Sequence, residues 1–278
     1  MAPVDTLQLR LADPEVSPIG GAEEFASDAF AGKVVIVTGA GQGLGRVYAK
    51  RFASLGARVV VADIVGENSE EVRREIVSAG GRAIATATDV GAESSVGAMV
   101  DAALAEFGKV DILVNNAAIA TALLRTPFTE LTLGEWNEVF RVNATGAFLC
   151  ARAVSPHMKK QKWGRIINVS STTVVMGRVN FLHYVSSKSA VIGMTRAMAR
   201  ELGPFGITVN VLLPGLTPHE VTNPGWTSEG IGMIKAMQCI PRVEQPDDLS
   251  GMVLFLASET SRFLTGQSIA VDGGAVHV

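Results

Sequence analysis

From residue 33 onward, short runs of β-branched residues alternate with segments in which apolar residues recur at helical spacing. The short runs predict strands over residues 34–37, 58–63, 83–88, 110–114, 165–169, 208–212 and 268–271. The periodic segments predict helices over residues 47–55, 67–78, 94–107, 133–160, 184–202 and 246–257. Because a crossover helix is what returns the chain to the same edge of a sheet, this alternation predicts a doubly wound α/β fold with a parallel sheet.

Two segments depart from the alternation. Residues 1–31 contain scattered prolines and acids with no sustained period, so we expect an N-terminal arm ahead of a single domain over residues 32–278. Leu7, Leu9 and Leu11 alternate with polar residues, so the arm either packs as a half-buried strand against the body or a neighbouring subunit, or is a loose terminus. Residues 216–240 are rich in Pro and Gly, too irregular for a core element, and predict a lid.

Composition narrows the class of protein. The 278 residues are 47% hydrophobic and 18% charged, which favours a folded chain over a disordered one. The net charge is −3 with no basic stripe, so neither nucleic acid nor an anionic membrane is an expected partner. Two cysteines, Cys150 and Cys239, are too few for a disulfide framework or a four-ligand zinc site. With no stretch of ~18 apolar residues, we expect a cytoplasmic protein.

A glycine-rich loop joins the first predicted strand to the first helix. Such a loop brings backbone close to a ligand, and the N–H groups of the following helix attract an anion such as a pyrophosphate. Tight turns between strands and helices also use glycine for steric reasons alone, so the loop needs support from its context. The residues of the loop expected to contact the ligand are Gly39, Gln42, Gly43, Leu44 and Gly45.

Asp63 supplies that context. It ends the second predicted strand 18 residues after Gly45, close to the ~20 residues at which a carboxylate meets the adenosine ribose of NAD. The alternative role for Asp63 is a helix cap. A 2′-phosphate would place negative charge against Asp63, and neither Gln42 nor Ile64 supplies a cation to offset it, so the sequence favours NAD over NADP.

Tyr184 and Lys188 lie one turn apart at the start of a predicted helix, on one face. An ammonium there stabilises a phenolate, and lowering a tyrosine pKa from ~10 to near 7 takes about 4 kcal/mol. A pair at this spacing commonly just packs, but Ser171 lies 13 residues earlier at the end of a strand, where its hydroxyl could bond a substrate oxygen. Together they favour proton exchange with an alcohol.

At this point the chain resembles the short-chain dehydrogenase/reductase family, in its Tyr-x-x-x-Lys branch with a Rossmann-type domain. The resemblance covers about residue 32 to the C-terminus. The signatures that carry it, in the family's order, are Thr38–Gly45, Asp63, Asp89-Val90, Asn115–Ala118, Asn143, Ser171, Tyr184–Lys188 and Pro214-Gly215. Ala118 stands where the family usually has glycine.

The resemblance implies a catalytic tetrad. Tyr184 would be the acid/base, and Lys188 would lower its pKa and bond the nicotinamide ribose. Ser171 would orient the substrate oxygen, and Asn143 would hold a water in a proton relay. His219 stands at the family's downstream threonine position, with Thr217 the nearer hydroxyl. For the cofactor, the resemblance adds Asp89, Val90, Asn116, Ala117, Pro214, Gly215 and Thr217 to the residues of the site.

The leading hypothesis is therefore an NAD-dependent oxidoreductase that interconverts a secondary alcohol and a ketone. The alternatives are a 3-ketoacyl-thioester reductase, which Asp63 disfavours if it uses NADPH, and a catalytically silent nucleotide-binding scaffold. Loops rich in apolar residues favour a neutral, hydrophobic substrate. No metal is expected, because His219 begins an HExxH-like run that ends in Asn223. The resemblance also implies a homo-oligomer, a tetramer or dimer, through the long helix over residues 133–160.

Overall fold

The strands lie in one parallel sheet. The computed structural model describes residues 25–120, 123–220 and 228–278. The strands within these residues are β1 (Val34–Thr38), β2 (Arg58–Asp63), β3 (Arg82–Ala87), β4 (Ile112–Asn115), β5 (Gly164–Val169), β6 (Ile207–Pro214) and β7 (Ser268–Val271). Their order is β3-β2-β1-β4-β5-β6-β7. The predicted Rossmann-type α/β fold is confirmed, with small shifts at strand ends.

Helices connect the strands. They are α1 (Gly43–Ser54), α2 (Gly66–Ser78), α3 (Glu93–Phe107), α4 (Leu133–Phe140), α5 (Gly146–Gln161), α6 (Thr173–Met176), α7 (Leu182–Leu202), α8 (Ser228–Met237) and α9 (Pro246–Ala257). The predicted long helix over residues 133–160 consists of α4 and α5, joined by a π-helical segment, Arg141–Thr145. Helix α4 begins where the Thr132 hydroxyl and the Glu135 carboxylate form a capping box.

Both faces of the sheet are buried. Helices α1, α2 and α9 cover one face, and α3, α5 and α7 cover the other. Strand β1 is buried at all of its positions because it has helices on both sides, and a parallel strand in that environment is apolar throughout. The sheet is thus a rigid platform for the loops at its carboxyl edge.

The end of the predicted arm belongs to the core. Phe30 is 2% exposed, and its ring meets the ring of Phe52 on α1 edge-on at 5.1 Å between centroids. Leu7, Leu9 and Leu11 lie outside the described residues, so their predicted packing stays a prediction.

Residues 216–240, expected to be too irregular for a core element, do contain a helix. Helix α8 lies within this range. Its apolar residues Ile231, Ile234 and Met237 recur at helical spacing, but Gly230 and Gly232 interrupt the helix with poor helix formers and obscure the pattern.

The order of the strands places a crevice at the carboxyl ends of β1 and β4. These strands are hydrogen-bonded neighbours, yet the chain proceeds from β1 toward one edge of the sheet and from β4 toward the other. The loops that follow them therefore diverge, which is where sheets of this kind bind ligands.

Candidate active site

A cleft of about 420 Å³ opens at this crevice. Loops that follow β1, β2, β4, β5 and β6 form its walls, and its volume is that of a small-molecule site. The sequence-predicted site residues that line the cleft are Gly39, Gln42, Gly43, Leu44, Asp63, Ile64, Asp89, Val90, Asn116, Ala117, Ser171, Tyr184, Lys188, Pro214, Gly215 and Thr217.

The glycine loop after β1 has no room for side chains. A Cβ on Gly39, which has φ +62°, would lie 2.8 Å from Ala117 Cα. Gly45 lies behind the cleft rather than in its wall, because a Cβ there would overlap the Gly39 carbonyl. Gly45 was expected to contact the ligand, but here it allows close packing of α1 on the loop.

The start of α1 already holds a carboxylate. The backbone N–H of Gly43 donates to Glu220 Oε1 at 2.8 Å. The N-terminus of a helix attracts anions because its N–H groups are unpaired and its dipole is positive there. Because this N–H group binds an anionic oxygen, the start of α1 can also bind the oxygens of a pyrophosphate. The residues of the glycine loop therefore fit a dinucleotide.

Asp63 lies beside the same loop. Its carboxylate accepts hydrogen bonds from the backbone N–H groups of Gly41 at 2.9 Å and Val65 at 3.0 Å. These bonds fix the carboxylate at the end of β2, where it borders the cleft. Ile64 next to it is 66% exposed and carries no charge.

Asp89 forms an ion pair that sequence reasoning missed. Arg141 Nη1 donates to both carboxylate oxygens of Asp89 at 2.9 Å. Glu138 and Asp89 together raise the pKa of Arg141. The pair joins the end of β3 to the π-helical segment, and no local signal could have found it because its residues are 52 positions apart.

The Tyr184 and Ser171 side chains are neighbours in the wall of the cleft. Burial raises the pKa of Tyr184 to about 12, against the lowering effects of Ser171 and Arg178. Thr173 Oγ1 donates to Ser171 Oγ at 3.0 Å and fixes that hydroxyl in turn. The two hydroxyls expected to hold a substrate oxygen are therefore together.

Lys188 is buried at 2% exposure beneath Tyr184. Its Nζ donates to the Val169 carbonyl at 2.8 Å, and it lies 5.9 Å from the centre of the Tyr184 ring. Burial lowers the pKa of Lys188 to about 8.

Asn143 lies behind the cleft, in the π-helical segment. Its Nδ2 donates to the Ile119 carbonyl at 3.2 Å and to Ser187 Oγ at 3.1 Å, and its Oδ1 accepts from the Ile119 N–H at 2.8 Å. Ser187 Oγ donates to the Tyr184 carbonyl at 2.8 Å. Asn143 therefore connects the loop after β4 to the first turns of α7, and π-helical turns are frequent at functional sites.

Thr217 is held by a buried acid. Its Oγ1 donates to Glu244 Oε2 at 2.9 Å, and burial raises the pKa of Glu244 to about 7. His219 lies against Gly43 at the entrance to the glycine loop. No local pattern singles out Glu220 or Glu244, because their partners Gly43 and Thr217 lie 177 and 27 residues away along the chain.

Comparisons with known proteins agree with this geometry. A family model described as Enoyl-(Acyl carrier protein) reductase matches residues 39–276. A cis-4-hydroxycyclohexanecarboxylate dehydrogenase of Sinomonas cyclohexanicum is 38% identical over 247 residues, which are 89% of this chain and 98% of that protein. A 3-oxoacyl-[acyl-carrier-protein] reductase of Synechocystis is 38% identical over 254 residues, with the same shares.

A solved structure is similar over the same span. It is a 7α-hydroxysteroid dehydrogenase complexed with NADH and 7-oxo glycochenodeoxycholic acid, with a TM-score of 0.85 and 34% identity. The alignment covers 91% of this chain and 99% of that one. The fold and the cleft define a dinucleotide-binding oxidoreductase. The chain belongs to the short-chain dehydrogenase/reductase family.

Membership fixes the broad chemistry. The protein is an oxidoreductase that acts on the CH–OH group of an alcohol or on the corresponding ketone or 3-oxoacyl carbonyl, with a nicotinamide cofactor. Across residues 25–120, 123–220 and 228–278, no helix is long and apolar enough to cross a membrane. The same ranges contain no group of His, Cys, Asp and Glu side chains that could hold a metal ion.

Proposed function

We propose that the protein interconverts a secondary alcohol and a ketone with NAD(H), and that Tyr184 exchanges the proton. The observation that carries the proposal is that Tyr184 and Ser171 are neighbours in the wall of the cleft, with Lys188 one turn along α7. When bound, the nicotinamide supplies the acceptor or donor of the hydride. The Ser171 and Tyr184 hydroxyls bind the substrate oxygen, and the Tyr184 oxygen takes up its proton during oxidation.

The pKa of Tyr184 decides whether this proton transfer is accessible at neutral pH. A neighbouring cation favours the phenolate, so the Lys188 ammonium one turn away on α7 and the oxidised cofactor would both act against the effect of burial. Asn143 would hold a water through which the proton passes onward from Tyr184.

NAD is the cofactor we propose, rather than NADP. The Asp63 carboxylate is fixed at the end of β2 by two backbone N–H groups and cannot turn away from a 2′-phosphate without losing them. Arg141, the cation at this end of the cleft, is already bonded to Asp89 and Glu138. A 2′-phosphate would therefore meet a carboxylate and no free cation among the described residues.

We propose that the substrate has a hydrophobic body. Leu123, Met176 and Phe181 line the cleft beside Tyr184, and burying each CH₂ group of a ligand there contributes ~0.8 kcal/mol. The relative from Sinomonas acts on a cyclic secondary alcohol, by its name. The similarity to the Synechocystis reductase supports a 3-oxoacyl thioester as the second candidate, and preference for NADPH would favour it.

We also propose a homo-oligomer, a tetramer or dimer, assembled through α4 and α5. Leu133 is 73% exposed and Phe148 is 42% exposed, while Trp136 stacks on Phe140 at 4.7 Å between centroids on the same helical segment. Such a surface is stabilised by burial against a partner. Light scattering at micromolar concentration tests this: a monomer would contradict it.

The experiment that tests the proposed reaction follows the absorbance of NADH. The protein is incubated with NAD⁺ and a panel of cyclic, aryl and alkyl secondary alcohols, and then with NADP⁺ and the same panel. We expect NADH to form with at least one cyclic or aryl alcohol, with formation of its ketone. Absence of turnover with every alcohol, or turnover with 3-hydroxyacyl thioesters alone, would contradict the proposal.

A further inference from the structure

Two arginines lie at the substrate end of the cleft. Arg178 lies between α6 and α7, and Arg125 lies on the segment between β4 and α4. The backbone N–H of Thr126 donates to the Asn180 carbonyl at 3.0 Å, which holds these segments together. Both guanidinium groups border the cleft that contains Tyr184.

Neither guanidinium has a carboxylate partner in the part of the chain that the structure describes. The charged neighbour of Arg178 is a second cation, Arg125. Burial and Arg125 both lower the pKa of Arg178. Elsewhere, Arg141 and Arg242 donate two hydrogen bonds each to one aspartate. A half-buried Arg178 beside an exposed Arg125, with no acid between them, is therefore an arrangement that this fold does not need for stability.

The acids that line the cleft form hydrogen bonds or ion pairs with groups other than Arg178. Asp63 accepts from the backbone of the glycine loop, and Asp89 and Glu138 bind Arg141. Asp272 accepts from the backbone N–H groups of residues 274–276. None of them neutralises Arg178, so the substrate end of the cleft carries an uncompensated positive charge.

The Phe181 ring neighbours both this charge and the reacting group. Its centroid is 4.7 Å from that of Tyr184, and the Arg178 guanidinium carbon is 6.0 Å from it. Because both groups adjoin one ring, the distance from Tyr184 to Arg178 is short. That distance fits a ligand with a compact hydrophobic body such as a single ring.

We propose that Arg178, assisted by Arg125, binds a carboxylate carried by the substrate itself, at the end remote from the reacting carbon. The substrate class is then a hydroxy or oxo acid with a hydrophobic body. This inference rests on the proposed function. It keeps the neutral, hydrophobic body of the proposed substrate and adds a carboxylate at one end. A guanidinium binds a carboxylate through two parallel hydrogen bonds, which fixes orientation as well as affinity.

A carboxylate fits this position better than the phosphate of a carrier thioester. The phosphopantetheine arm of a carrier places its phosphate far from the reacting carbon, whereas Tyr184 and Arg178 both adjoin the Phe181 ring. The two sources of anion are distinguished by the substrates used in the test.

The test compares cis-4-hydroxycyclohexanecarboxylate with its carboxamide, which has nearly the same shape and no charge. In the wild type we expect kcat/KM for the acid to exceed that for the amide by about 10- to 100-fold, the range typical of a hydrogen bond to a charged group. In Arg178→Gln the ratio should fall to near one through a higher KM for the acid. Arg178→Lys should keep part of the preference, and Arg125→Gln should lose part of it.

Arg200→Gln is the matched control, because Arg200 is exposed on α7 and lies outside the cleft lining. It should leave the ratio unchanged. A ratio near one in the wild type, or a ratio that Arg178→Gln does not change, would overturn the inference while leaving the proposed reaction intact. A preference for 3-hydroxybutyryl-CoA that depends on Arg178 would assign the anion to the carrier instead and would also overturn it.

A binding measurement separates this inference from turnover. Calorimetric titration of cyclohexanecarboxylate into the protein with NADH should give an affinity about tenfold weaker for Arg178→Gln than for the wild type. This result would support the anion site even if no alcohol were oxidised, in which case the proposed reaction alone would fail. Equal affinities in the two proteins would overturn the inference.

Discussion

Lys188 Nζ lies 5.9 Å from the centre of the Tyr184 ring while it donates a hydrogen bond to the carbonyl of Val169. Val169 is the last residue of β5, so the strand fixes the position of the Lys188 ammonium beneath α7. The two side chains are one turn apart on the same helix, which fixes the phenol relative to the ammonium. The packing of α7 on β5 therefore sets how strongly the Lys188 ammonium favours the phenolate form of Tyr184.

Cofactor choice should depend on the charge beside the end of β2. Ile64→Arg adds a cation next to Asp63 without removing the carboxylate or its two backbone hydrogen bonds. We expect kcat/KM for NADP to rise about tenfold or more, with a smaller change for NAD, because the guanidinium offsets the repulsion of a 2′-phosphate. Steady-state kinetics with both cofactors measure this ratio.

Ile64→Gln is the control for this prediction, since it extends the side chain without a charge. It should leave the wild-type preference for NAD in place. Equal use of NAD and NADP by the wild type would refute the role of Asp63.

The carboxylate of Glu220 should weaken cofactor binding. It occupies the Gly43 N–H at the start of α1, where we place the pyrophosphate, so it must move when the cofactor binds. Glu220→Gln removes the like charge, and we expect the NADH dissociation constant to fall about three- to tenfold by fluorescence titration. Glu106→Gln, which changes an exposed acid on α3 by the same charge, should leave it unchanged. Weaker binding in Glu220→Gln would show that Glu220 assists the cofactor instead.

Glu244 should make stability depend on pH. Burial raises its pKa from 4.5 to about 7, so the folded protein holds this proton more tightly than the unfolded chain does. Between pH 4.5 and 7 Glu244 is protonated more in the folded state than in the unfolded chain, so its contribution to the free energy of unfolding falls as the pH rises through this window. The loss attributable to Glu244 is about 3 kcal/mol at most.

Glu244→Gln should lack this loss, because the amide keeps a hydrogen-bond acceptor for Thr217 and does not titrate. Urea unfolding at intervals across the window measures the difference between the two proteins. Glu106→Gln should retain the wild-type slope. Parallel slopes for wild type and Glu244→Gln would mean that Glu244 ionises normally in the folded protein.

Regular elements with strong local signals could be predicted from the sequence. The predicted bounds of α9 agree with the structure, since Pro246 is favoured in the first turn of a helix and a capping box precedes it. Strand β7 is also confirmed at both ends. Helix α8 was missed because its glycines lower its helix propensity and obscure the apolar pattern.

The candidate site could be predicted only where its residues belong to recognisable local motifs. Tyr184 and Lys188 share a face of one helix, and the glycine loop lies between a strand and a helix, so both are visible in sequence. The Asp89–Arg141 pair and the contact between Gly43 and Glu220 join distant segments and have no local pattern. The proximity of Arg125 to Arg178 likewise depends on two segments that meet only in the folded chain.

The Tyr184 hydroxyl is the group proposed to transfer the proton. Tyr184→Phe removes that hydroxyl and little volume, and the matched control is Tyr48→Phe. Tyr48 is 1% exposed on α1, and its hydroxyl has no hydrogen-bond partner among the residues that the structure describes. Removing it should cost little, since it leaves no group unpaired.

The most direct test measures kcat for the best alcohol of the panel together with the NADH dissociation constant in these three proteins. We predict that Tyr184→Phe loses about 10²- to 10⁴-fold in kcat while NADH affinity stays within about threefold of the wild type. Tyr48→Phe should keep kcat within about twofold. Turnover in Tyr184→Phe close to that of the wild type would contradict the assignment of Tyr184 as the acid/base.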